Sequence, residues 1–401
     1  MNMCTVIDQQ FILQIPAPTI VWKTLVASPD LRHAAFIARY RDAMTVIFDE
    51  VESERFDGMV EASLVFSSDS KYLAYIAVYR GKQCVVLDGV PGPAFDVILS
   101  PPRVSADGRH LAYSARISGT WHVVSNEQAF ESAHGIALVT MSPDGSRLAW
   151  AALQESGLTT MVVDGTPGPL YDAPLQGSVT FSPDSKHLAY AVHIGGQQLV
   201  VRDGVEGPRF HGVPGPPVYS ADSQRLLHPA GDGTQQFLVV DETPGHPFDH
   251  IVIGENHLFS LDGQHTACSV QIGGCQHVAV DDVAGAPYDG ISVATVRLSA
   301  DGRRVGFVAR LADARYVVCD GLETRVPNNA WGLSFSTDNK HLAYVANVGR
   351  RHVVFVDGNG VFECDGIINT CGKRPLLFEA PEQLRFMALI AGGLYSVVVK
   401  L

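Results

Sequence analysis

The hydrophobic and polar residues between positions 177 and 210 alternate in short runs that predict β-strands. GSVTFSP (Gly177–Pro183) and KHLAYAVHI (Lys186–Ile194) each alternate with a period of two, and Asp184-Ser185 between them is typical of a tight turn. Gly195-Gly196 predicts a two-residue hairpin into a third strand, QQLVVRD, and GVEGPRF leads into a short fourth strand. The segment predicts four antiparallel strands in about 38 residues.

This unit recurs along the chain. Neighbouring copies of its turn aspartate lie 37 to 40 residues apart, a period typical of propeller blades. The sequence therefore predicts an all-β fold, a β-propeller of four-stranded blades in one domain. The turn aspartates are Asp30, Asp69, Asp107, Asp144, Asp184, Asp222, Asp262, Asp301 and Asp338.

The two ends of the chain indicate how the ring closes. Residues 376–401 have three strands of a further unit and no fourth strand, while residues 1–26 contain strand material without an inner strand. We expect the N-terminal segment to supply the missing outer strand, because closure removes an exposed sheet edge. Nine repeats at 27–375 and one split repeat predict about ten blades. A nine-bladed ring with an extra sheet and two smaller rings are the alternatives.

Three copies of the turn motif carry a resemblance to a known family. SADGRHLAY (Ser105–Tyr113), SPDGSRLAW (Ser142–Trp150) and SPDSKHLAY (Ser182–Tyr190) resemble the repeat of TolB-like, WD-repeat-like bacterial β-propellers. The same repeat forms the propellers of prolyl-oligopeptidase-type peptidases and of oligogalacturonate lyases. The resemblance implies the propeller fold and does not choose among binding proteins, enzyme gates and lyases.

The composition and net charge argue against two classes of binding partner. The formal charge of −13, without a Lys/Arg run, argues against nucleic acid and anionic membranes as partners. The start, MNMCTVIDQQF, has no basic leader or apolar core of a signal peptide, and the seven cysteines have no disulfide spacing. We expect a cytoplasmic protein with reduced thiols, and a monomer.

The repeated polar residues predict structure rather than chemistry. Each turn aspartate follows Ser-x, so its carboxylate is expected to accept local backbone N–H groups. A histidine recurs at the start of the second strand, where Tyr72 and Arg147 also occur, which predicts a solvated blade edge. No GxSxG, HExxH, GxGxxG or P-loop is present, and no cofactor is expected. These histidines are His33, His110, His187, His265 and His341.

Candidate site residues are those at which the repeat departs from its own pattern. The second strand carries an aromatic residue in eight units, but His228 in the sixth and Cys268 in the seventh, and His257 takes an apolar position of the next inner strand. These three predict a ligand pocket between blades six and seven; a satisfied core histidine and sequence drift are the alternative. Arg103 and Arg297, on inner strands, predict a carboxylate or phosphate grip in the central channel; solvated channel charges are the alternative.

Two functions remain open from the sequence. The first is a non-enzymatic binding or scaffold protein, which recognises a protein or a small molecule through its funnel or loop face. The second is a propeller enzyme of lyase or cyclase type with a histidine or arginine site. An enzyme needs departures from the repeat that converge in one pocket, whereas a scaffold tolerates departures spread around the ring.

Overall fold

The chain folds into a ring of ten antiparallel sheets. A computed structural model describes residues 5–15, 19–126, 128–132, 134–252, 258–370 and 374–401. In these residues the only helical element is a 3₁₀ turn at Trp22–Thr24. The sheets are the blades of a ten-bladed propeller, so the predicted fold class and blade count are confirmed.

Each blade has four strands, called A to D from the innermost to the outermost, and strand A is split into two segments in five blades. The N-terminal strand β1 (Thr5–Gln14) is strand D of blade 10. Blade 1 consists of β2 (Val26–Ala27), β3 (Ala34–Arg39), β4 (Met44–Phe48) and β5 (Val51–Glu52), and blade 2 of β6 (Gly58–Met59), β7 (Val65–Phe66), β8 (Leu73–Tyr79), β9 (Lys82–Leu87) and β10 (Val90–Phe95). Blade 3 consists of β11 (Val97–Ile98), β12 (Arg103–Val104), β13 (Leu111–Ile117), β14 (Thr120–Ser125) and β15 (Gln128–Ser132), and blade 4 of β16 (Ile136–Met141), β17 (Leu148–Leu153), β18 (Thr159–Val163) and β19 (Thr166–Tyr171). Blade 5 consists of β20 (Ala173–Pro174), β21 (Thr180–Phe181), β22 (Leu188–Ile194), β23 (Gln197–Arg202) and β24 (Val205–Glu206). Blade 6 consists of β25 (Val218–Tyr219), β26 (Leu226–Gly231), β27 (Gln236–Val240) and β28 (Thr243–Pro244), and blade 7 of β29 (His250–Ile251), β30 (Leu258–Phe259), β31 (Thr266–Ile272), β32 (Cys275–Val280) and β33 (Val283–Ala284). Blade 8 consists of β34 (Gly290–Leu298), β35 (Val305–Leu311), β36 (Ala314–Cys319) and β37 (Leu322–Val326), and blade 9 of β38 (Ala330–Phe335), β39 (Leu342–Val348), β40 (Arg351–Val356) and β41 (Asn359–Cys364). Blade 10 consists of β42 (Gly366–Ile368), β43 (Leu376–Ala380), β44 (Gln383–Ile390) and β45 (Gly393–Lys400) together with β1.

The two termini close the ring. Strand β1 pairs antiparallel with β45, from Thr5 opposite Lys400 to Gln14 opposite Gly393. Leu13 packs in one apolar cluster with Phe36 of blade 1, so the same segment also seals the joint between blades 10 and 1. The predicted closure by an N-terminal outer strand is confirmed.

The hydrophobic core lies between the blades. The described residues form ten apolar clusters, and each cluster joins one pair of adjacent blades. The aromatic residue of strand B points to the preceding blade: Tyr190 of blade 5 packs with Met161 and Tyr171 of blade 4. Burying one such side chain contributes about 1.5–3 kcal/mol, so each blade depends on both neighbours.

The turn aspartates are structural, as the sequence predicts. In nine blades the serine hydroxyl donates to Oδ1 of the aspartate two residues later, over 2.5–2.7 Å. The same hydroxyl accepts the amide N–H five residues later, as at Ser182 and His187 over 2.9 Å. At Asp144 the Ser146 amide also donates to Oδ1, over 2.9 Å, and this bond together with that of the Ser142 hydroxyl lowers the pKa of Asp144 to about 2.

The recurrent histidine position is partly solvated, with side chains 31–40% exposed at His33, His187, His265 and His341, and it also makes specific contacts that the sequence did not predict. His187 Nδ1 lies 2.7 Å from Oδ2 of Asp203, the residue that follows strand C. The ring of His110 also packs on the next blade, since a Cβ on Gly145 would lie 2.5 Å from His110 Cβ. The position therefore joins one turn to the next around the ring.

The two faces of the ring differ in regularity. The uniform face carries the A–B turns, six residues long in blades 1 to 9, and the C–D turns, two residues long wherever they are fully described. The variable face carries the connections to the next blade and the B–C turns, which have two residues in seven blades, four in blades 1 and 6 and five, 154–158, in blade 4. Within 207–217, Phe210 pairs with Gln198 and Gly212 with Gly231, so His211 alone separates paired residues there, as Asp96 does in blade 2.

Candidate functional site

His228 occupies the aromatic position of blade 6 and points to blade 5. Its ring contacts Phe210 edge to face at a centroid distance of 5.9 Å, the contact that Tyr190 makes with Tyr171 one blade earlier. The cavity beside it, which Arg202 and Asp241 also line, has a volume of about 20 Å³. That volume holds about one water molecule, so the imidazole packs as a core ring rather than opening into a ligand pocket.

Cys268 lies in a different interface. It packs with Leu227, Leu238 and Phe248 of blade 6 in the cluster between blades 6 and 7, and it is 2% exposed. Burial raises the pKa of the thiol to about 12, with a smaller contribution from Asp282. A thiol in this environment stays protonated at neutral pH and is a poor nucleophile.

The structure does not bring His228 and Cys268 together. Each stands at the same position of its own blade, and that position points to the preceding blade, so the interface between blades 5 and 6 holds one and the next interface holds the other. The third predicted member of this pocket, His257, lies outside the described residues.

Arg103 and Arg297 are also far apart. Arg103 lies on β12 of blade 3 and Arg297 on β34 of blade 8, which are opposite in a ring of ten. Both strands are the innermost of their blades, so the two arginines approach the channel from opposite sides. The Arg297 guanidinium donates to the Val296 carbonyl oxygen over 2.7 Å. A joint grip on one ligand stays a prediction.

One buried ion pair escaped the sequence reasoning. Arg385, 6% exposed, stands where Ala189 stands in blade 5, and its guanidinium binds both carboxylate oxygens of Glu379. It also donates to the Ser396 hydroxyl over 2.8 Å, and Arg32 of blade 1 donates to the same carboxylate. The sequence does carry a sign of this ion pair, because a charged residue stands at a position where the repeat has alanine.

A second residue that sequence reasoning missed is His122 of blade 3. Both ring nitrogens are buried without a hydrogen-bond partner among the described residues. Thr160 stands at the same position of blade 4 and donates to the Gly168 carbonyl oxygen at a bulge of its outer strand. Strand β15 pairs with β14 without a register shift, so no bulged carbonyl reaches His122.

The described residues contain no group of three or more His, Cys, Asp or Glu side chains placed to hold a metal ion. No helix in the part of the chain that was searched is long and apolar enough to cross a membrane.

Comparison with known proteins gives structural likeness at low sequence identity. No protein-family model matches the chain, and no curated protein matches it. A eukaryotic initiation factor is 11% identical with a TM-score of 0.48, over 84% of this chain and 86% of that one. The β-propeller domain of the Trilobed protease from Pyrococcus furiosus is 14% identical with a TM-score of 0.32, over 65% and 96%. TolB from Acinetobacter baumannii is 16% identical with a TM-score of 0.29, over 76% and 81%.

Proposed function

We propose that the protein is a non-enzymatic binding propeller that recognises its partner or ligand on the variable face. The observation that carries this proposal is the contrast between the two faces. The A–B and C–D turns each repeat one length wherever they are fully described, whereas the B–C turns have two residues in seven blades, four in blades 1 and 6 and five in blade 4. Loops that vary on a rigid scaffold are where propeller-like folds place recognition. On the SPDG-type repeat, we propose further that the chain is a relative of the TolB-like, WD-repeat-like propellers.

The distribution of the departures from the repeat supports binding over catalysis. His228, Cys268, Arg103 and Arg297 fall in separate interfaces or on opposite blades. General acid–base or nucleophilic catalysis needs groups within hydrogen-bond reach of one reacting atom. The lyase or cyclase alternative has no such convergence to support it.

Two double variants in the same two blades test the proposal. Tyr79→Ser with Ile272→Ser removes apolar residues, 49% and 38% exposed, beside the B–C turns of blades 2 and 7. Val90→Ser with Val283→Ser removes residues that are 70% and 73% exposed, beside the C–D turns of the same blades.

Partners are captured with the wild-type chain, purified, and titrated against both variants. We expect the first double variant to weaken binding by about tenfold or more, the loss of one or two buried apolar contacts, and the second to leave it within about twofold. Equal binding by both variants would contradict recognition on the variable face. Chemical conversion of the bound molecule by the purified chain would contradict the non-enzymatic assignment.

A further inference from the structure

A cleft lies on the variable face of blade 8. It has a volume of about 510 Å³, within the range of about 300–1,000 Å³ for small-ligand pockets. Ala314, Val326 and Pro327 supply apolar wall, and the polar lining consists of Asp313, Arg315, Arg325 and Asn328.

Blade 8 departs from the repeat at this cleft. In blades 2, 4 and 7 an aromatic residue paired with strand C is followed by aspartate, as at Phe95–Asp96, and this aspartate accepts an amide N–H of the next B–C turn. Blade 8 has Val326–Pro327 there. It therefore lacks both the larger ring and the carboxylate at this position.

Arg315 also departs from the repeat pattern of strand C. It stands opposite Arg310, the position at which Gln83 stands opposite Val78 in blade 2. The Gln83 amide oxygen accepts the Ile98 N–H of the next blade over 2.7 Å. A guanidinium has no acceptor, and Arg315 instead donates to the Asn329 amide oxygen over 2.8 Å.

Two arginines, Arg315 and Arg325, line this cleft together with one carboxylate, that of Asp313, and Arg310 lies opposite Arg315 in the sheet. Arg310 and Arg315 are directly opposite across β35 and β36, an arrangement in which like charges destabilise a sheet. Within the described chain neither of them, nor Arg325, forms an ion pair with a carboxylate, although the protein carries a formal charge of −13. An anion in the cleft would offset this repulsion.

We propose that the blade 8 cleft binds a small anionic ligand, of the carboxylate or phosphate class, through Arg315 and Arg325. Arginine holds such groups with charge-assisted, often bidentate, hydrogen bonds, and the apolar wall accommodates the ligand's uncharged part. The inference rests on the proposed function in placing recognition on the variable face, and it adds the chemistry of one ligand.

Calorimetric titration with inorganic phosphate and, separately, with citrate tests this site, with sodium chloride at matched ionic strength as the reference. We expect saturable binding of at least one anion, weakened about tenfold or more in Arg315→Gln and in Arg325→Gln. Arg41→Gln, which changes an exposed arginine in the B–C turn of blade 1, should bind as the wild type does. Binding of phosphate alone or of citrate alone identifies the class of the ligand.

Thermal unfolding gives a second readout that a structural arginine would not reproduce. In low salt without phosphate or citrate, Arg315→Gln should match or exceed the wild-type midpoint, because it removes like-charge repulsion, yet it should lose the upward shift that the anion gives the wild type. Absence of saturable binding, equal binding by all variants, or a lower midpoint for Arg315→Gln overturns the inference. Partner binding that still depends on Tyr79 and Ile272 would leave the proposed function standing after such a failure.

Discussion

Arg385 and Glu379 form a bidentate ion pair inside the blade that closes the ring, with Nε to Oε1 at 2.8 Å and Nη2 to Oε2 at 3.1 Å. The Arg385 side chain is 7% exposed, so its charge depends on this partner. The pair lies on β43 and β44, and β45 separates β44 from the N-terminal strand β1. It therefore ties the two inner strands of the closing blade together and, through Arg32, connects them to the A–B turn of blade 1.

Removing the Glu379 charge should destabilise the protein. Glu379→Gln leaves the Arg385 guanidinium buried without a counter-charge, which costs about 3 kcal/mol in the free energy of unfolding. Arg32→Gln, which removes only the exposed partner, should cost less than about 1 kcal/mol. Urea unfolding at pH 7 measures both, and equal small losses would show that the pair does not stabilise the closed ring.

The contribution of this pair should fall in acid. The Arg385 hydrogen bonds lower the pKa of Glu379 from 4.5, so the native state holds the proton less tightly than the unfolded chain. Stability from this group is present above pH 4.5 and is lost as the pH falls through the lower native pKa. The difference in unfolding free energy between wild type and Glu379→Gln should shrink over that interval, and a constant difference would contradict the pKa assignment.

Gly145 should not tolerate a side chain. Its φ is +76°, and a Cβ would lie 2.5 Å from Cβ of His110, so Gly145→Ala combines backbone strain with a clash. We expect a loss of about 2–4 kcal/mol, the sum of the two costs. Gly196→Ala is the matched control, because its φ is +80° and its Cβ position is open. Equal losses in urea unfolding would show that the contact between the two turns contributes nothing.

His228→Tyr introduces the residue that four of the ten blades have at this position. The ring contact with Phe210 is retained, so we expect the unfolding free energy to change by less than about 1.5 kcal/mol. Ligand or partner binding should be unchanged. Loss of binding with unchanged stability would restore the pocket that the sequence predicts at this residue.

Alkylation should separate the cysteines by burial. Burial raises the pKa of Cys268 to about 12 and that of Cys364 to about 11, and both thiols are buried. We expect iodoacetamide at pH 8 to modify partly exposed Cys275 first and to reach Cys268 and Cys364 only after denaturation. Mass spectrometry of peptides gives the order, and rapid modification of native Cys268 would contradict its burial.

The sequence determined the ring, because each repeat carries the complete set of local bonds that its blade needs. Ser182 and Asp184 close their own turn, so the recurrence of this pair locates nine of the ten blades. The N-terminal strand could be assigned to the last blade since the repeat there lacks its fourth strand and an open edge is unfavourable. Non-polar alternation likewise located the strands, because one face of each strand is buried against a neighbour.

Only the tertiary structure decided which departures from the repeat meet. His228 and Cys268 lie in adjacent blades, but a strand B side chain faces the preceding blade, so the two residues enter different interfaces. Sequence spacing gives the position within a blade and leaves out the direction of the side chain across the ring. The blade 8 cleft could not be predicted for a related reason: its lining comes from two segments of one blade, 313–315 and 325–328, and the volume left between them is a property of the folded structure.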